Sequence, residues 1–192
     1  MLTDHTDDTR SGQTLASARA AIDRHARLVP DFPTPGVSFK DLTPVLAYAE
    51  GLAAVTDALA EHCAGAELIA GIDARGFLLG GAVARALGIG VVAVRKAGKL
   101  PPPVTGIDYQ LEYGTSRLEL PAEGLDLRGR RVAVLDDVLA TGGTLVAAST
   151  LLRQAGADLH SIAVVMELAG LPGRAAIEAG LGDVAVHTIC LG

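Results

Sequence analysis

The sequence predicts a single α/β domain in which a central, mostly parallel sheet is flanked by helices. Short apolar runs bounded by turn residues alternate along the chain with stretches whose apolar residues recur at helical spacing. The chain has 192 residues, 49% of them hydrophobic, which suffices for one core and leaves no room for a second full domain. Predicted strands cover residues 68–72, 90–95, 130–137 and 161–168, and predicted helices cover residues 14–27, 50–64, 76–88 and 144–156.

The elements outside this alternation are predicted from local composition. Residues 1–13 are polar and acidic, which predicts a disordered tail ahead of a domain spanning residues 14–192. The run LVPDFPTPGVSFKDLTP has four prolines, so it predicts a rigidly turned, extended segment. Between residues 96 and 119 the alternation breaks at a proline run, and two short strands follow. That stretch predicts a loop and hairpin that project from the sheet as a lid.

Charge and cysteine content exclude several classes of function. Sixteen Lys and Arg against 22 Asp and Glu give a net charge of −6, which disfavours nucleic acid and anionic membranes as partners. Cys63 and Cys190 lie in no disulfide or zinc spacing. No apolar stretch approaches the length of a membrane span, and the polar beginning of the sequence lacks the apolar region of a signal peptide. We therefore expect a cytoplasmic protein with no membrane association.

The run VLDDVLATGGT carries the strongest chemical signal. An apolar strand ends in two carboxylates, crosses a loop of small residues and enters a helix, and ligands of open α/β sheets bind at such strand ends. The first amides of a helix lack internal partners and carry partial positive charge, so they bind a phosphate without a lysine. The predicted phosphate loop consists of Ala140, Thr141, Gly142, Gly143 and Thr144.

The two carboxylates, Asp136 and Asp137, suit a different part of the same ligand. Like charge prevents them from binding phosphate, but they can accept hydrogen bonds from ribose hydroxyls or hold water on a magnesium ion. A phosphate beside a vicinal diol describes a ribose 5-phosphate. Neither GxxxxGK[ST] nor GxGxxG occurs in the sequence, which weakens kinase and dehydrogenase interpretations.

The same run resembles the phosphoribosyl pyrophosphate signature of type I phosphoribosyltransferases, and its LATGGT form resembles their adenine-specific branch. Three further segments resemble that branch: DFPTPGVSFKDLTP, GIDARGFLLG, and RKAGKLP with YQLEYGT downstream. Together they cover most of residues 29–168 in the family's order. The resemblance implies a type I phosphoribosyltransferase fold with a lid or hood made of a loop and a hairpin.

The resemblance also implies roles for basic residues. Arg75, in the loop of residues 73–76, would act in catalysis by holding pyrophosphate together with backbone amides; Ala74 stands where the family often has serine. Arg95, Lys96 and Lys99 would surround pyrophosphate, in the family often in a neighbouring subunit's site, which implies a homodimer. For each lysine, a merely solvent-facing basic turn is the alternative.

For the base, the resemblance implies stacking of adenine on Phe39, with backbone contacts from Ser38 and Lys40. The family often carries an apolar residue and an arginine at those two flanking positions, which leaves base specificity open. Relatives specific for hypoxanthine or guanine carry a catalytic aspartate where this chain has Ala140. The resemblance therefore implies that Glu112, in the lid, controls protonation of the purine as a catalytic residue.

Tyr113 would pack near pyrophosphate or across the dimer. The implied reaction is purine salvage: adenine and phosphoribosyl pyrophosphate give AMP and pyrophosphate. Mg²⁺ would be chelated mainly by the pyrophosphate substrate, with no protein metal site. Two alternatives stay open at this point, a phosphoribosyltransferase for another base such as xanthine, and a regulator that binds phosphoribosyl pyrophosphate without chemistry.

Overall fold

The fold is given by a computed structural model that describes residues 5–31, 39–111 and 114–192. The helices of these ranges are α1 (His5–His25), α2 (Thr43–Ala47), α3 (Ala49–His62), α4 (Arg75–Leu87), α5 (Gly143–Gln154) and α6 (Gly173–Leu181). The strands are β1 (Arg27–Val29), β2 (Phe39–Asp41), β3 (Leu68–Ile72), β4 (Gly90–Lys96), β5 (Val104–Leu111), β6 (Gly114–Pro121), β7 (Arg131–Leu139), β8 (Asp158–Glu167) and β9 (Ala185–Leu191).

Seven of the described strands form one sheet in the order β5-β6-β4-β3-β7-β8-β9. The five strands from β4 to β9 in that order run parallel, as βαβ crossovers require. Strands β5 and β6 form an antiparallel hairpin that joins the sheet beside the end of β4, where Arg95 pairs with Glu119. Strands β1 and β2 form a separate two-stranded sheet. The predicted fold class, a mostly parallel sheet flanked by helices, is confirmed.

Strand β7 shows why the central strands of the sheet are apolar at consecutive positions and do not alternate apolar with polar residues. Its Val132 and Val134 pack on the side covered by α5 and α6, whereas Ala133 and Leu135 pack on the side covered by α1, α3 and α4. All four side chains are fully buried. A strand covered on both faces must be apolar at every position, so its first polar residues mark the point where it leaves the core.

Helix α1 begins at His5, so residues 5–13 are helical and the prediction of disorder there is corrected. The polar and acidic composition that predicted disorder does not exclude a helix there. Farther along α1, Ala18 and Ile22 are completely buried against the core that α3 also covers. Once this part of the helix is anchored, each added residue gains a backbone hydrogen bond at low cost, and the helix extends toward the N-terminus.

The remaining predicted helices and strands occur within a few residues of their expected bounds. The sequence analysis made no prediction for β9 and α6, and it predicted only an extended segment where the short elements β1, β2 and α2 occur. No helix in the described part of the chain combines the length and apolar character that a membrane crossing requires.

Candidate active site

Three loops follow the carboxyl ends of β3, β4 and β7, which are neighbours in the sheet. They are residues 73–76, which run into the first turn of α4 and are called the pyrophosphate loop after their predicted role; residues 96–99, the basic loop; and residues 140–144, called the phosphate loop after their predicted role. Because parallel strands end at the same edge, the three loops lie side by side. This edge is the candidate active site.

The phosphate loop leads directly into α5. Gly142 precedes the helix with a φ of +85°, a left-handed conformation that favours glycine. The helix start has no side-chain cap among the described residues, and Val146 N–H donates to Gly142 O at 2.9 Å. The amides ahead of Val146 therefore stay available to an anion, as expected of a phosphate site.

Close backbone packing fixes the phosphate loop from behind. A Cβ added to Gly142 would lie 2.7 Å from the carbonyl oxygen of Gly173, the first residue of α6. A Cβ added to Gly173 would in turn contact the carbonyl oxygen of Ala140 and lie 2.6 Å from Leu139 Cδ1. The two backbones approach as closely as glycine allows, so α6 sets the position of the loop.

The two carboxylates at the end of β7 are held differently. Asp137 is buried, and its backbone N–H donates to Asp136 Oδ1 at 2.9 Å. Burial, with the negative charge of Asp137, raises the pKa of Asp136 well above its ordinary value of 3.8. The carboxylate of Asp137 accepts a hydrogen bond from Nε of Arg75 in the pyrophosphate loop. Thus one carboxyl resists ionisation and the other is ion-paired.

Arg75 also connects the carboxylates to the predicted base-binding side. Its guanidinium carbon lies 6.0 Å from the centre of the Phe39 ring, at the start of β2. The pyrophosphate loop itself, which contains a cis peptide bond between Asp73 and Ala74, approaches β7 closely. A Cβ added to Gly76 would lie 2.6 Å from the carbonyl oxygen of Leu135. Arg75 is therefore held between the aromatic ring and the acidic end of β7.

The basic loop is tied to the pyrophosphate loop through Arg95. Its Nε lies 3.5 Å from Asp73 Oδ2, its guanidinium carbon lies 5.4 Å from the centre of the Phe77 ring, and its Nη1 donates to the carbonyl of Lys99 at 3.3 Å. Lys96 and Lys99 are exposed. Positive charge is thus concentrated at the ends of β3 and β4, beside the acidic end of β7.

The structure brings together the phosphate loop, both aspartates, Arg75 and Phe39. The side chain of Lys40 lies away from this group, with its Nζ 3.6 Å from Asp23 Oδ1 on α1, and the role predicted for Lys40 is a backbone contact. Ser38, Glu112 and Tyr113 lie outside the described residues. In the part of the chain that the structure describes, no group of three or more His, Cys, Asp or Glu could hold a metal ion.

Two residues that the sequence analysis missed contact the loops of this site. Asp73 receives the Arg95 contact, and Glu119 on β6 accepts a hydrogen bond from the backbone N–H of Gly98 at 3.0 Å. No sequence signal marked Glu119, because a glutamate between two leucines is the ordinary alternation of a half-exposed strand, and its burial results from packing. A charged residue in that setting needs partners.

The chain is similar in sequence to known proteins of one family. Residues 45–179 match the phosphoribosyl transferase domain family. The chain is similar to the adenine phosphoribosyltransferase of Mycolicibacterium smegmatis, with 56% identity over 98% of this chain and 100% of that one. It is also similar to the enzyme of that name from Mycolicibacterium vanbaalenii, with 68% identity over 79% of this chain and 87% of that one.

Solved structures extend the similarity to the whole fold. The adenine phosphoribosyltransferase of Rhodothermus marinus superimposes with a TM-score of 0.82 at 42% identity, covering 92% of this chain and 99% of that one. The enzyme from Saccharomyces cerevisiae, solved with adenine and an imino-altritol bisphosphate, gives a TM-score of 0.82 at 34% identity over 91% of this chain and 99% of that one.

Proposed function

The chain belongs to the adenine phosphoribosyltransferases, which transfer the ribose 5-phosphate of phosphoribosyl pyrophosphate to adenine and release pyrophosphate, and from that premise we propose how its residues carry out the reaction. The observation that carries the proposal is the end of β7, where two carboxylates precede a helix start that no described side chain caps. The 5-phosphate binds the amides of the phosphate loop, and the ribose hydroxyls bind Asp136 and Asp137.

Arg75 changes partner when the donor binds. Without ligand its charge is neutralised by Asp137, and a diol that hydrogen-bonds to Asp137 competes for the same carboxylate oxygens. Pyrophosphate is the stronger partner for a released guanidinium because it offers several charged oxygens. The donor therefore replaces both partners of the ion pair: its ribose hydroxyls bind Asp137, and its pyrophosphate binds Arg75.

The base and the leaving group lie on opposite sides of the anomeric carbon in this arrangement. Adenine stacks on Phe39, with backbone contacts from Ser38 and Lys40, and pyrophosphate lies toward Arg95, Lys96 and Lys99. Charge develops on the ribose ring and on pyrophosphate as their bond breaks, so catalysis depends on positioning and electrostatic stabilisation. The hairpin closes over the site and excludes water, which prevents hydrolysis of the donor.

Mg²⁺ fits the residues at this edge of the sheet. The adjacent carboxyl groups of Asp136 and Asp137 are hard oxygen donors that would hold water bound to the ion, which the pyrophosphate substrate would mainly chelate. When bound, the ion neutralises charge on the leaving pyrophosphate.

Glu112 controls protonation of the purine, and Tyr113 packs near pyrophosphate. We propose that the enzyme works in the cytoplasm as a homodimer, with the exposed basic loop reaching the partner's site.

A base panel tests the proposal. The protein is incubated with phosphoribosyl pyrophosphate and adenine, guanine, hypoxanthine, xanthine or orotate, with and without Mg²⁺, and nucleotide and pyrophosphate are quantified. We expect AMP and pyrophosphate in equal amounts from adenine, and a strong Mg²⁺ requirement. Faster turnover of another base would replace the assignment of adenine. Donor binding without consumption of any base would favour a regulator.

A pair of arginine variants on α4 tests the exchange of partners. Arg75→Gln removes the pyrophosphate contact and is expected to raise the KM for the donor about 10- to 100-fold, the range for a hydrogen bond to a charged group. Arg85→Gln, in the last turn of the same helix and exposed, serves as the matched control with unchanged kinetics. Equal kinetics of the two variants would remove Arg75 from the site.

A further inference from the structure

We propose that Glu119 is a positioning residue that fixes the basic loop to the base of the hairpin, and so places Lys96 and Lys99 for the pyrophosphate end of the donor. The inference rests on the proposed function and adds to it a residue outside every motif that predicted the site. It depends on four contacts that connect β6, β5 and the basic loop.

The carboxylate of Glu119 is nearly as buried as the side chains of the two leucines that flank it in the sequence. Its side chain is 9% exposed, whereas Leu118 and Leu120 on either side are 0% and 1% exposed. Removing a carboxylate from water is costly unless its oxygens are hydrogen-bonded, and a leucine would fill a purely structural position at lower cost. A charge at this position therefore needs specific partners for both of its oxygens.

Each oxygen of Glu119 serves one donor. Oε2 accepts a hydrogen bond from the backbone N–H of Gly98, in the middle of the basic loop, at 3.0 Å. Oε1 lies 3.4 Å from Nε of Arg117, which is two residues earlier on the same strand, β6. The carboxylate is thus the point where the loop and the hairpin meet.

Arg117 carries the connection across to β5. Its Nη1 donates to Asp108 Oδ1 at 3.1 Å, and its guanidinium covers Gly106, where a Cβ would lie 2.7 to 2.8 Å from guanidinium atoms. Glycine at position 106 therefore leaves the space in which the guanidinium lies between the two carboxylates. The contacts run from Asp108 through Arg117 and Glu119 to Gly98.

The first residue of the basic loop is attached independently of Glu119: Lys96 pairs with Leu118 on β6, and its backbone N–H donates to Asp73 Oδ2 at 3.5 Å. Ala97 N–H donates to the carbonyl of Arg117 at 3.1 Å, and Arg95 holds the carbonyl of Lys99 at 3.3 Å. The side chains that would meet pyrophosphate, on Lys96 and Lys99, are exposed. Their reach is therefore set by the loop backbone, and Glu119 holds that backbone at its centre through a charge-assisted hydrogen bond.

Kinetics of Glu119→Ala and Glu119→Gln test the inference, with Asp126→Asn as the control. Asp126 also pairs with an arginine, Arg128, but it is 71% exposed and lies outside the hairpin and the basic loop. For Glu119→Ala we expect the KM for phosphoribosyl pyrophosphate and the inhibition constant of pyrophosphate to rise about tenfold. The KM for adenine and kcat should change less than about threefold, and Asp126→Asn should change none of these values beyond about twofold.

The glutamine variant provides a rescue. Its amide has one oxygen, for which Gly98 and Arg117 compete, so we expect an intermediate rise of about threefold in the KM for the donor. Adding Arg117→Leu frees that oxygen for Gly98 and should return the KM to within about twofold of the unmodified protein. A carboxylate with a merely structural role would instead lower kcat and raise both KM values together, with no rescue.

The outcomes separate this inference from the proposed function. Failure of the unmodified protein to bind or consume phosphoribosyl pyrophosphate would overturn the proposed function, and with it any role for Glu119 in placing the donor. A fully active protein whose Glu119 variants fold, as judged by thermal unfolding, and keep the donor KM and pyrophosphate inhibition unchanged would overturn the positioning role alone.

Discussion

The two ends of β7 shift the pKa of a nearby carboxyl group in opposite directions. At the start of the strand, Glu67 Oε2 accepts the backbone N–H of Arg131 at 3.0 Å, and this hydrogen bond, with the Arg131 charge, lowers the pKa of Glu67. At the other end, burial and the charge of Asp137 raise the pKa of Asp136. The same strand therefore stabilises a charge where it enters the sheet and destabilises one where it leaves.

The rest of each end follows the same division. Near the start, Arg131 Nε donates to the carbonyl of Gly65 at 2.8 Å and Arg130 Nη2 to that of Glu67 at 2.9 Å, so the charged groups are satisfied within the protein. Near the end, Arg75 and Asp137 neutralise each other, and the proposed function requires a ligand to compete for both. The start of β7 thus stabilises the fold, whereas its end has the raised pKa expected of the proposed binding site, at a cost in stability.

The largest effect that can test this contrast is expected from Asp136→Asn. An uncharged amide is a poorer acceptor for the ribose hydroxyls, so catalytic efficiency should fall about 10- to 100-fold in steady-state assays. The free energy of unfolding at pH 7 should rise, because the variant no longer buries a charge beside Asp137. A gain of about 1 kcal/mol would raise the midpoint temperature by about 2–4 °C in a protein of this size.

The pH dependence gives the sign of that gain. The folded pKa of Asp136 lies above its unfolded value, so the unmodified protein loses stability as pH rises from near 3.8 through the raised folded pKa. The variant lacks this loss, and its stability advantage should therefore grow from pH 4 to pH 7 in urea unfolding. A constant difference across that range would contradict a raised pKa at this position.

A smaller effect is expected from Gly173→Ala, which tests whether α6 holds the phosphate loop in place. The new Cβ would crowd the carbonyl of Ala140 and Leu139, with an expected loss of about 1–3 kcal/mol in the free energy of unfolding. Displacement of the loop should also raise the KM for phosphoribosyl pyrophosphate about tenfold, the loss of about one good hydrogen bond.

Gly81→Ala is the matched control for that variant. Gly81 lies inside α4, and no atom lies within 4 Å of its added Cβ, so alanine should stabilise the helix by up to about 1 kcal/mol without changing the KM. Chemical denaturation and donor kinetics would be measured on both variants. A donor KM that stays normal in Gly173→Ala would show that the loop is positioned without α6.

The sequence predicted one half of this contrast and not the other. The end of β7 could be predicted from the sequence, because the first polar residues after an apolar run mark where a buried strand leaves the core. Asp136, Asp137 and the glycines after them also form a compact motif. Strands β3, β4, β7 and β8 could be predicted for the same reason. Strand β9 could not, because an edge strand with one neighbour is not buried throughout and its sequence mixes polar and apolar residues.

Contacts between residues that are far apart in the chain could not be predicted from the sequence. The contact between Arg75 and Asp137 joins residues 62 positions apart, and it depends on β3 and β7 being neighbours in the sheet. The turn of the Lys40 side chain toward α1 and the contact of Glu119 with the basic loop likewise depend on packing. Local composition fixes which residues can form a site, whereas strand order determines which of them meet.

The smallest effect, from Glu67→Gln, tests the stable end of the strand. A glutamine keeps an acceptor for the Arg131 N–H but loses the charge, so stability at pH 7 should fall slightly while kinetics stay unchanged. The folded pKa of Glu67 lies below its ordinary value of 4.5, so its contribution is present above that pH and is lost as pH falls. Urea unfolding should therefore show a deficit that shrinks toward pH 4, the reverse in sign of the Asp136→Asn advantage. If both variants shifted stability in the same direction, the two ends of β7 would not differ in the way their hydrogen bonds indicate.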